Sequence, residues 1–362
     1  MTRINNRHEL AQRLIKLQPA LAGTGIASIQ DVAFTIDTPD TYNIANDEHI
    51  SSGIARVLAH INNMPGVPPS LVVTLFKNLT LDSTAPGYLA QLQGYDWLIS
   101  QGSAFTPEVC HTATIRGRPI DLDGRIDVLS RSLFFDIKSF SFEPDLRAIF
   151  CRRLKSQFPG FSFTVDGPGN HGPDIINAEA FIPLKAYIAA FITTDRIEIP
   201  ALRWVVKKHK TQPSVRIATH EYNIDDFAYE NRWVPLRFAS QFATDAPYLL
   251  IFVLPDGLGP SALKIDVFGS LRKLASDIAD HLFVAASQDV APASAYDDSI
   301  PSGIAVRDVI SRLSGLVFIG PQAKLALLHL NAGAMQALSK AEAAEVAGGW
   351  EIAVHGAVKG ET

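Results

Sequence analysis

Apolar residues recur every three or four positions over 8–18 and 47–62, the period of a helix with one buried face. Pro68-Pro69 opens another run, Ser70-Leu71-Val72-Val73-Thr74-Leu75-Phe76, with proline in the first turn, where its missing N–H leaves no hydrogen bond unmade. Residues 1–80 therefore read as a mainly helical region. After Pro86, the residues Tyr88, Leu89, Leu92, Tyr95, Leu98 and Ile99 trace one face of a helix that ends near Gly102. The pattern then shifts to short strand-like runs at 108–115, 120–129 and 133–140. A helix beginning at Glu143-Pro144-Asp145 and a strand over 161–165 follow.

Further along, strands are expected at 202–207, 215–222 and 316–319. The continuous apolar run at 248–253 suits the interior of a sheet. An amphipathic helix is expected over 264–285 and an exposed connection over 289–302. Residues 81–325 then form an α/β core with insertions, and 326–362 a C-terminal helix and tail. No internal repeat or low-complexity tract interrupts this order.

Strand side chains alternate between faces. In Ile120-Asp121-Leu122-Asp123-Gly124-Arg125-Ile126-Asp127-Val128, the acids and Arg125 share one side. In Leu133-Phe134-Phe135-Asp136-Ile137-Lys138, Asp136 and Lys138 share one side with Phe134. A hairpin turning at Arg131-Ser132 sets Asp127 directly opposite Asp136, and a turn at Ser130-Arg131 makes them diagonal neighbours. Carboxylates facing each other across a ladder repel and need a cation. Mg²⁺, with Mn²⁺ as substitute, suits such oxygen ligands, and the Ile137 carbonyl is a further donor. Such a metal would polarise a phosphodiester and acidify a bound water, with Lys138 orienting that water or stabilising developing charge. The plain alternative is an amphipathic hairpin whose polar face meets solvent.

This segment resembles the PD-(D/E)xK nuclease superfamily, the restriction-endonuclease-like fold. Asp123-Gly124-Arg125-Ile126-Asp127 is similar to the Asp-Gly-Gly-Ile-Asp run of Mrr-type restriction enzymes, and Asp136-Ile137-Lys138 to the family's second acid and lysine. The resemblance implies an αβββαβ core over 86–165 with a mixed sheet, Asp127 and Asp136 as metal ligands, Lys138 as the catalytic lysine, and DNA cleavage in restriction, phage defence or repair. A catalytically degenerate binding module is the alternative. The family's helix glutamate is missing. Gln91 stands at about its place, Asp96 or Glu108 are other replacements, and Asp123 is an extra ligand if its strand twists inward.

Composition limits how DNA would be held. With 32 Lys and Arg against 37 Asp and Glu, the net charge of −5 disfavours a broad polyanion-binding surface, so contacts must come from local patches. Arg147, Arg152, Arg153 and Lys155 form one and Lys207, Lys208 and Lys210 another. A homodimer or larger defence complex is a possible assembly. Cys110 and Cys151 are the only cysteines, too few for a disulfide framework and without zinc-site spacing. With no signal-like or membrane-length apolar stretch, a cytoplasmic protein without membrane contact is expected. The loop Asp166-Gly167-Pro168-Gly169-Asn170-His171-Gly172-Pro173 lacks the lysine and helix start of a P-loop.

Overall fold

Six consecutive apolar residues at Tyr248–Val253 require cover on both faces, and every one of them is buried. They form strand β7 near the middle of a seven-stranded mixed sheet. A computed structural model describes residues 3–34, 44–81, 84–129, 131–140, 146–167, 177–210, 228, 231–254, 267–320 and 325–356. Its helices are α1 Arg7–Leu17, α2 Glu48–Asn62, α3 Pro69–Leu79, α4 Ala85–Ser100, α5 Leu146–Gln157, α6 Leu184–Thr193, α7 Val267–Asp280, α8 Val306–Ile310 and α9 Lys340–Ala347. Its strands are β1 Phe105–His111, β2 Ile120–Val128, β3 Arg131–Ser139, β4 Phe161–Asp166, β5 Arg196–Ile199, β6 Trp204–Lys210, β7, β8 Gly315–Ile319, β9 Ala326–Asn331 and β10 Glu351–His355.

The large sheet runs β1-β2-β3-β7-β8-β9-β10. Its first three strands are antiparallel, and β3, β7 and β8 are parallel. Ile126, Leu133, Phe135, Ile137, Leu249 and Ile251 face a core shared with α1–α4. Tyr248, Leu250, Phe252, Leu316 and Phe318 face a second core with α7, α8 and the 3₁₀ segment Val234–Gln241. The sheet is therefore a layer between two helical layers.

Two expectations change here. Strand β4 does not join the central sheet. It pairs with β6 in a separate sheet of order β4-β6-β5, packed with α5 and α6 around Phe150, Phe163, Phe191 and Trp204. The neighbour of β3 is instead β7, which local sequence cannot reveal because the pairing spans more than a hundred residues. The tail expected over 326–362 supplies β9 and β10, which finish the sheet. The connection over 289–302 is tied down by a bridge between Pro292 and Ala305, with Ala293 and Ile300 buried. The strand expected at 215–222 and most of the loop at 166–173 lie outside the described residues. No described helix is long and apolar enough to cross a membrane.

Candidate active site

Helix α4 lies so close to β3 that a Cβ on Gly94 would fall 2.7 Å from Ile137 Cδ1. That approach sets Gln91 and Tyr95 over the junction of β1, β2 and β3. Pairing between β1 and β2 runs from Phe105 with Ile126 to His111 with Ile120 and skips Glu108, whose φ of 51° is left-handed. Pairing between β2 and β3 stops at Gly124 with Phe135. Beyond it, Leu122 joins the core on the opposite face of the sheet from Ile126. Asp123 sits at this pivot.

The freed backbone and side-chain groups satisfy one another there. Asp123 Oδ2 accepts from the Ile137 N–H at 2.6 Å, and the Asp123 N–H donates to Asp136 Oδ1 at 3.0 Å. The Tyr95 hydroxyl donates to the Asp123 carbonyl at 2.6 Å. Gln91 Nε2 donates to Asp123 Oδ1 at 2.8 Å and to Glu108 Oε1 at 2.5 Å. On the other flank, Asp136 Oδ2 accepts from the Tyr248 hydroxyl at 2.9 Å and lies 3.3 Å from Lys138 Nζ. The Lys138 ammonium is also 5.3 Å from the Phe238 ring centroid.

Three carboxyl groups thus share one ammonium. Burial first, then Asp136, pushes the Asp123 carboxyl well above the usual carboxylate range. Glu108 is raised chiefly by desolvation, although it reaches the surface. Burial opposes the charge on Lys138, but Asp136 and Asp123 outweigh it and leave its pKa raised. Tyr95 and Tyr248 are held well above the ordinary phenol value by burial, then by Asp123 and Asp136 respectively, so both stay protonated donors.

Asp127 does not enter this site. Val128 pairs with Arg131, leaving only positions 129 and 130 between the strands, so the turn comes earlier than either expected register. Asp127 consequently faces Ser132, four residues along β3 from Asp136, or about 13 Å at strand rise. Its side chain is 65% exposed and is held by Ser132 and Arg125. Asp136 is 2% exposed. The acid that meets Asp136 is Asp123, expected only as an additional ligand, whose N–H donates to it. Asp96 points elsewhere and is gripped by Arg56 at 2.5 and 2.9 Å.

No protein-family model, curated protein or solved structure matches the chain. The donors of the site are oxygens and one amine, with no thiol or imidazole, a set suited to a hard cation. Among the described residues no three His, Cys, Asp or Glu side chains form a ready metal cage, and the Gln91 amide stands between Glu108 and Asp123. Sequence reading missed the two tyrosines. Tyr248, the one polar-tipped residue in an otherwise aliphatic and Phe run, was the available signal.

The residues expected to contact nucleic acid belong to the β4-β6-β5 unit and not to this cluster. Arg147 donates to the Gly167 carbonyl, and Arg153 lies 4.7 Å from the Phe181 centroid. Lys207 pairs with Asp166 at 2.7 Å. Lys208 is bound to Asp195 at 3.0 Å and to the Phe191 carbonyl at 2.5 Å. Lys155 and Lys210 are exposed. The Arg152 side chain lies outside the described residues.

Proposed function

We propose that the chain is a metal-dependent phosphodiesterase of the PD-(D/E)xK type, acting on DNA, with Asp123 in the place first expected of Asp127. One observation carries this reading: acids from three adjacent strands meet a lysine where β2 leaves β3. The element order lends partial support, because α4 and β1–β3 follow the start of the expected core and β7 lies parallel to β3, whereas the helix and strand expected next, α5 and β4, belong to the separate three-stranded unit.

The charge balance fits a divalent ion. Glu108, Asp123 and Asp136 exceed Lys138 by two negative charges when ionised, and burial first, with carboxylate repulsion added to it, raises the Glu108 and Asp123 carboxyls. Asp123 and Asp136, with the Ile137 carbonyl and Gln91 after an amide flip, would hold Mg²⁺ or Mn²⁺. The ion would polarise the phosphodiester and lower the pKa of a bound water. Tyr248 fixes Asp136 from behind, and the Ile137 N–H fixes Asp123, so both acids are oriented before substrate arrives. Lys138, anchored by Asp136, would place its ammonium beside charge developing on the phosphate.

Plasmid nicking with Mg²⁺ or Mn²⁺ tests the assignment. Asp136→Ala, Lys138→Ala and Asp123→Asn should each lose about 10²–10³-fold in rate, whereas Asp127→Ala should stay within about threefold of the parent, since a surface change away from any site is nearly neutral. Equal activity of the first three with the parent would remove the site.

The Gln91 amide in the carboxyl cluster favours a second reading, a degenerate nuclease fold that binds without cutting. That reading requires no stabilisation by metal. A rise in Tm on adding millimolar Mn²⁺, abolished by Asp123→Asn, would exclude it.

A further inference from the structure

The β4-β6-β5 unit differs from the rest of the molecule in charge. Residues 146–210 contain ten Lys and Arg and five Asp and Glu, a formal +5 in a chain of net −5, so the remainder carries −10. This segregation coincides with a structural unit, because the segment has its own sheet and its own core. A catalytic core that is itself acidic repels a polyanion, and attraction must come from elsewhere.

Some cations here hold the unit together, Lys207 and Lys208 among them. Lys155, Lys185, Arg203 and Lys210 are exposed. Aromatic rings accompany them: Lys210 is paired with Phe161 across β4 and β6, and the Phe158 N–H bonds to the Lys155 carbonyl. Eight Cα-to-Cα steps join Lys138 to Leu146 at the start of α5, a reach of no more than about 28 Å. One turn of duplex is about 34 Å. The start of α5 is therefore no farther from Lys138 than one turn of duplex, within reach of phosphates flanking a bond held at that lysine.

We infer that residues 146–210 are the element that grips the phosphate backbone of a nucleic acid, a role that rests on the hydrolytic reading of the Asp123, Asp136 and Lys138 site. The grip is electrostatic and independent of base sequence, since Lys155, Lys185, Arg203 and Lys210 offer cations that neutralise phosphates without reading base edges.

Binding is separable from cutting in the full-length Asp136→Asn protein, titrated into a labelled 30-base-pair duplex without metal and followed by fluorescence anisotropy. Adding Lys155→Glu, Lys185→Glu and Lys210→Glu should weaken binding at least tenfold at 0.1 M salt. The slope of log K against log salt should also shrink by about 0.9 for each phosphate that the protein ceases to neutralise. A control with the same charge change outside the unit, Lys16→Glu, Lys77→Glu and Lys340→Glu, should stay within threefold, and thermal melts verify that both triples fold. Retained affinity in the first triple, equal loss in the control, or no salt-dependent duplex binding by the parent would each overturn the inference. Duplex binding through the unit in the Asp136→Asn protein, combined with no nicking by the unsubstituted protein in Mg²⁺ or Mn²⁺, would leave it standing while removing the hydrolytic reading.

Discussion

Replacing Gln91 with glutamate would put a fourth carboxyl between Glu108 and Asp123, where an amide now donates to both. Like charges in a buried cluster destabilise the metal-free protein, and a cation relieves them. Gln91→Glu should therefore melt at a lower temperature in EDTA than the parent and gain more from Mn²⁺. Equal Mn²⁺ shifts in the two proteins would show that position 91 is not part of the metal site. At this scale strand alternation made the adjacency of Asp136 and Lys138 legible, because i and i+2 share a face whatever the register. The choice between Asp123 and Asp127 was not legible, because it depends on where the hairpin turns.

The turn is set by contacts that no local reading contains. Phe135 lies across Gly124, where a Cβ would come within 2.4 Å of the Phe135 ring and 2.8 Å of the Thr106 carbonyl oxygen. Arg131 grips Glu342 of α9 at 2.5 and 2.9 Å, and the Leu129 N–H donates to Glu345 at 3.2 Å. These contacts hold Leu129 at a left-handed φ of 49°, with its side chain 69% exposed, a position where sequence rules expect glycine or asparagine. Gly124→Ala should cost about 1–3 kcal/mol by overpacking and reduce nicking, read by denaturant unfolding beside the activity assay. The hydrogen bonds from Arg131 hold the Glu342 carboxyl down to about 2. Its contribution is thus complete above the ordinary glutamate range and lost as pH falls toward 2. Arg131→Ala should destabilise by about 2 kcal/mol at neutral pH, less than a fully buried pair because Arg131 is partly exposed. It should also flatten the acid limb of the Tm against pH curve, and an unchanged limb would place the clamp elsewhere.

Across the molecule, two imidazoles are kept neutral by the packing of helices on the sheet. His281 and His329 are both lowered to about 4, chiefly by burial. The unfolded chain takes up these protons near pH 6.5 and the folded chain does not. Stability should therefore fall as pH drops from about 6.5 toward 4, with each group contributing up to about 1.4 kcal/mol per pH unit. His281 Nε2 is buried without a partner and its ring packs edge-on to Trp233. His281→Phe should keep that packing, remove the orphan nitrogen and lessen the slope of Tm between pH 6.5 and 4.5, measured by calorimetry. An unaltered slope would assign the acid sensitivity to other groups. At this scale the layered α/β class and the interior position of Tyr248–Val253 were legible from apolar runs alone. The diversion of β4 into its own sheet was not, because a half-buried strand reads the same whichever sheet receives it.

The partnership of β3 with β7 has a kinetic consequence. These neighbours are more than a hundred residues apart in the chain, and closing so long a loop is entropically costly before any contact rewards it. Residues 146–210 pair strands separated by no more than 49 residues, less than half the span that β3 and β7 must close. During refolding they should gain amide protection early, while the central sheet waits for its two halves to meet.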